Sequence, residues 1–192
     1  MRMQTQIASL ISGPALFLRQ NMNVRRTMVV ILFTALGSQP LVAQSVFKTL
    51  SLGVFSAEGL VSFLDSRGIS PGARSMALRV TIARQRTPID LVKVSGGDLG
   101  LEDEATYSEL IAAARKRGLE MCPGEVGPLL QYEHSLDMPS GEVLWIAMEP
   151  VMSGITPVPR VFVVTRSGLT ESFVNVPIHK NLVWVFTRHL VR

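Results

Sequence analysis

The sequence predicts an α+β fold: a small antiparallel sheet made by the C-terminal strands, with two or three N-terminal helices packed on one face. Three observations predict it. Helix-start signals come first, at Ser56, at Ser70-Pro71 and at Thr106 with Glu109. After Gly141 the text changes to short apolar, β-rich runs separated by prolines. Roughly 140 residues follow position 50, the usual size of one domain, and helices followed by strands in one domain is the order of an α+β fold.

The elements follow in sequence. Ser56 caps a first helix whose apolar face is Leu60, Val61, Phe63 and Leu64, stopped by Gly68. Ser70-Pro71 opens a second, short helix ending near Arg79. Residues 89–94 form a strand after Pro88, closed by Ser95-Gly96-Gly97. A helix over 106–117 has the clearest signature. Thr106 and Glu109 have capping-box spacing, Tyr107, Leu110, Ile111 and Ala114 make the apolar stripe, and Arg115, Lys116 and Arg117 complement the dipole before Gly118. Strands are expected over 143–148, 160–165, 170–176 and 182–188, with Ser167-Gly168 as the hairpin turn between the middle two.

Charge divides the chain. Glu58 is the first acid, while five of the 19 basic residues (Arg2, Arg19, Arg25, Arg26, Lys48) precede it. The rest holds 14 basic against 15 acidic side chains, so the formal net charge of +4 belongs to the N-terminal stretch. Residues 1–45 read as a leader of signal type, with Met22 as an alternative true start. Met22 to Arg26 is a basic head, 27–36 an apolar run, Gly37 to Pro40 a break, and Ala43 or Gln44 the last residue before a cut. A spanning helix needs roughly 20 apolar residues, so no stable transmembrane anchor is expected. Export, to the periplasm for instance, is favoured over the alternative of a cytoplasmic domain with an extension, and residues 50–192 form the single α+β domain.

The stretch from Met121 to Pro128 crowds a thiol, a carboxylate, two glycines and two prolines together. A cysteine nucleophile needs a lowered pKa and a base within reach, so Cys122, Glu125, His134 and His179 are the catalytic candidates. The competing and favoured reading is a buried Cys122 acting as a small apolar side chain. Trp145 and Trp184, with Phe162, Phe173 and Phe186, supply aromatic mass to the sheet; they are binding candidates whose default role is core. Arg74, Arg79, Arg84 and Arg86 make a basic run without interleaved aromatics, so nucleic acid is not the expected partner. No metal site is expected, because three histidines and one cysteine lack ligand spacing, and no cofactor is implied.

From about residue 55 onward the chain resembles a family of small uncharacterised bacterial proteins. The resemblance is carried by residues 89–95, Asp98-Leu99-Gly100, Gly118 to Pro123, Glu125-Val126-Gly127-Pro128, Gly141-Glu142, Ile146 to Pro150 and the strand around Phe162. Gly124 stands where the family pattern more often has alanine, and the segment before Tyr132 is shorter. The resemblance implies no activity, substrate or catalytic residue.

The expectation is therefore a binding or interaction module of unidentified partner rather than an enzyme. It could self-associate through an edge strand at 182–188. The alternatives are a thiol-dependent hydrolase or transferase using Cys122, and a regulatory or nucleic-acid-associated protein using the arginine run over 74–86.

Overall fold

A computed structural model describes residues 45–152, 154 and 157–188. The leader over residues 1–44, including Met22, and His189 lie outside the described residues. The elements are β1 (Val46–Leu52), α1 (Ala57–Asp65), α2 (Pro71–Ala77), β2 (Thr87–Ser95), α3 (Tyr107–Lys116), β3 (Leu119–Glu120), α4 (Val126–His134), β4 (Val143–Ile146), β5 (Val151–Met152), β6 (Pro159–Thr165), β7 (Gly168–Phe173) and β8 (Val183–Arg188).

The expected caps form. The Ser56 hydroxyl accepts from the Gly59 N–H, the Ser70 hydroxyl from Ala73, and Thr106 and Glu109 close a reciprocal capping box. Each satisfies backbone donors that a helix start leaves unpaired. In α1 the buried face is Leu60, Val61 and Leu64; Phe63 stands outward against Phe55 and Tyr132 instead.

The mixed α and β content agrees with the sequence, but the sheet is larger than expected, with eight strands. Its path runs β1-β2-β8-β4-β6-β5, with β7 on the other edge of β6 and β3 added to β8. The N-terminal part supplies a whole flank: β1, which crosses the boundary expected at residue 50, pairs antiparallel with β2. The sheet is also not purely antiparallel, since β4 and β8 run parallel, with Trp145 level with Trp184. The strand over 182–188, expected at an edge, lies in the interior. Strand β8 is bonded to β2 on one side and to β4 and β3 on the other, which leaves it no free edge for pairing between subunits.

Helices cover both faces, not one. Trp145 is in register with both Trp184 and Val163, so these three share a face, and Tyr107 of α3 packs its ring 5.5 Å from Trp184. Phe162, one residue from Val163, points the opposite way because side chains alternate along a strand. Its ring lies beneath α4: a Cβ added to Gly127 would sit 2.6 Å from it. Helix α2 is on the same side, where Glu171 bonds the Ser70 hydroxyl and pairs with Arg160 at 2.8 Å. The layers are therefore α3, the sheet, and the group α1, α2 and α4.

Residues 126–134, to which the sequence assigns no element, form α4. Val126 to Gln131 are all buried, so this helix shows no polar stripe to betray its period. Pro128 sits in its first turn, where its missing N–H costs nothing.

Candidate functional site

The site begins where the sheet forks. Strand β8 offers one edge to both β4 and β3, β4 along 183–185 and β3 along 187–188. At Ala147 the β4 chain leaves, its N–H still donating to the Val185 carbonyl at 3.0 Å. Cys122 fills the fork: its N–H donates to Ala147 at 2.6 Å and its thiol to the same Val185 carbonyl at 3.5 Å. A small side chain that is mostly apolar and carries one weak donor suits this position. Burial holds the thiol well above its ordinary pKa, which keeps it protonated.

Beyond Cys122 the chain turns into α4 and leaves a cleft of about 430 Å³. Leu52, Val80, Met148 and Val151 form its apolar walls, and Arg79 and Glu149 stand at its mouth as exposed charges. Glu125 also lines it, with each of its oxygens holding a backbone donor. One carboxylate oxygen accepts the Gly53 N–H at 3.1 Å and the other the Ala83 N–H at 2.9 Å. A 1 % exposed acid thereby ties the loop after β1 and the segment after α2 to the start of α4. On the far side of the sheet, the Tyr107 hydroxyl donates to the Met148 carbonyl at 2.7 Å and accepts its N–H at 2.9 Å. That clamp fixes the backbone next to Glu149. The cleft walls are thus positioned by two side chains.

The four catalytic candidates are not brought together. Cys122 and Glu125 both line the cleft, whereas neither His134 nor His179 does. His134, at the end of α4, packs on Phe47 at 5.8 Å. Burial first, then the charges of Lys93 and Lys48, lower its pKa below the ordinary histidine value. His179 is exposed and faces Asp103 at 3.8 Å. Its neighbour Lys180 donates its backbone N–H to Asp103 and pairs with Glu102, so these two acids serve the 179–180 turn. Glu133 lies 4.0 Å from Lys48. Among the described residues no group of three or more His, Cys, Asp and Glu side chains could hold a metal ion.

The binding candidates separate likewise. Trp184 is buried beneath Tyr107, and Trp145 is half-buried with its ring 5.3 Å from that of Trp184. Arg74 is paired with Asp65, Arg84 and Arg86 are exposed on the segment after α2, and Arg79 alone of the run lines the cleft. Glu125, a catalytic candidate by residue type, spends one bond of each carboxylate oxygen on a backbone N–H. The apolar stripe of α3 includes Tyr107, whose hydroxyl has a partner of its own in Met148. A phenol at the first position of an amphipathic helix was the available signal, since a buried Tyr hydroxyl needs a partner.

Among the described residues no helix is long and apolar enough to cross a membrane. No family model matches the chain, no curated protein matches its sequence, and no solved structure matches its fold.

Proposed function

We propose that this domain is a binding module that takes a small, largely apolar ligand in the cleft at the sheet fork. The observation that carries the reading is the cleft itself. It encloses about 430 Å³, within the range of roughly 300–1,000 Å³ usual for small-molecule sites, and it sets aliphatic walls around a few polar groups. Its buried acid already serves two backbone donors, which leaves that carboxylate holding walls rather than moving protons. A preformed cleft also lowers the ordering cost of binding. The protonated thiol of Cys122 supports the binding reading over thiol catalysis, which needs the thiolate.

The test is a titration of the labelled protein with 3-methyl-1-butanol, a neutral aliphatic probe, followed by amide NMR shifts. Shifts confined to Thr81, Ala83, Gly124, Cys122 and Val151 are expected. Thr81, exposed at the mouth of the cleft, is the place to plug it, and Thr81→Trp should abolish them. Shifts spread over the surface, or persisting unchanged in Thr81→Trp, would overturn the reading.

A further inference from the structure

Two exposed charges of opposite sign line the mouth of this cleft. The other acid in the lining, Glu125, is consumed by Gly53 and Ala83. Arg79 and Glu149 both line the mouth, and among the described residues neither makes a salt bridge, with each other or with any other side chain. The guanidinium of Arg79 is also placed, because it lies over Gly154, where a Cβ would collide with it. The Tyr107 clamp holds the backbone of the residue before Glu149. The cleft therefore presents one cation, one anion and an aliphatic hollow.

The charge pattern selects among ligands. A simple anion would gain Arg79 but meet the field of Glu149, and a simple cation would meet the opposite conflict. A neutral hydrocarbon would leave both charges beside an apolar guest. A molecule with one charge of each sign and an aliphatic arm satisfies all three features, and charge-assisted bonds to Arg and carboxylate are the stronger kind.

Resting on the binding reading above, we propose that the ligand is a zwitterionic α-amino acid with an aliphatic side chain. Its carboxylate lies on the Arg79 guanidinium, its ammonium on the Glu149 carboxylate, and its side chain among Leu52, Val80, Met148 and Val151.

The experiment compares four probes on the same protein by amide NMR titration: L-leucine, 4-methylpentanoate, 3-methylbutylamine and 3-methyl-1-butanol. L-leucine should bind about tenfold more tightly than either singly charged analogue, the ratio expected from one added charge-assisted bond. Arg79→Ala and Glu149→Gln should each bring the affinity for L-leucine down to that of the singly charged analogues, read as the ratio to the alcohol's affinity in the same variant. An aliphatic dipeptide binding more tightly than leucine would overturn the free amino acid in favour of a peptide. Alcohol binding without a leucine preference would overturn this inference and leave the binding reading standing. No binding of any probe would overturn both.

Discussion

The two faces of the sheet are covered in different ways. Under α3, one helix lies on Trp184, Phe186, Val92 and Val94, with Leu110, Ile111 and Ala114 as its buried side. Large side chains fill the space, and the Tyr107 hydroxyl exchanges both its bonds with Met148. On the other face α4 comes so near the sheet that Gly127 has no room for a Cβ against Phe162. That cover ends at Glu125, beyond which the cleft begins. Bulk seals one face, whereas close approach and a buried acid frame a hollow on the other. A residue of catalytic type can therefore be a wall support, and a silent-looking glycine can set how close two layers come.

The comparison breaks most sharply at Trp184. Trp184→Ala should cost about 4 kcal/mol in chemical denaturation, the scale of removing a large buried aromatic, because it empties the packed face. The amide pattern of the cleft should survive in whatever fraction remains folded. A loss below about 1 kcal/mol would mean that α3 is not the seal described.

On the other face the acid matters more than any one apolar residue. Glu125→Ala strands two backbone donors, each worth roughly 1–3 kcal/mol when buried and unpaired, so a loss of about 3 kcal/mol is expected. Glu125→Gln keeps one acceptor oxygen and should lose about half as much. Hydrogen exchange should report the same difference locally, with the Gly53 and Ala83 amides losing protection in both variants. Equal stability of Glu125→Gln and Glu125→Ala would show that the carboxylate does not hold both loops.

Glycine contacts give a smaller and reversible effect. A Cβ at Gly124 would meet Val80 at 2.7 Å, so Gly124→Ala should destabilise by about 1–2 kcal/mol through overpacking. The second substitution Val80→Ala should restore most of that, since it vacates the space the new methyl needs. In this chain the space of an alanine methyl at position 124 is filled by Val80. Additive losses in the double mutant would deny that the two positions share one volume.

The smallest effect is a pH dependence at the far end of α4. His134 faces Lys93 and Lys48 from the sheet, with Glu142 and Asp137 opposing them. Its folded pKa is lowered, by burial first and the two lysines next. The neutral form is therefore favoured on folding. That contribution is fully present above the ordinary histidine value of about 6.5 and is lost as pH falls through the lower folded value. His134→Gln should flatten this part of the stability profile, measured by denaturation between pH 4 and 8. An unchanged slope would place the titration elsewhere.

Local chemistry made the helix starts legible. Ser56, Ser70 and Thr106 cap because their side chains serve backbone donors three residues away, an interaction contained in a few residues. The hairpin of β6 and β7 was readable for the same reason, with Thr165 level with Gly168 across the turn. Helix α4 was hidden because Gly127 and Pro128 resemble breakers and its first six residues are all buried. Strand β1 was hidden by its place within the acid-free N-terminal stretch. Cys122 and Glu125 were picked out as chemical types, but their partners Val185, Gly53 and Ala83 lie 42 to 72 residues away.

By itself the sequence determined the mixed class, the caps, the capping box and most strand positions, because propensity, capping and alternation act over a few residues. The tertiary structure alone decided that 182–188 is central, that β4 runs parallel to it, that helices cover both faces, and that the cleft opens at the fork. Those outcomes rest on strand order and on contacts between distant segments. No local pattern specifies which edge a strand will join or which loop a buried carboxylate will hold.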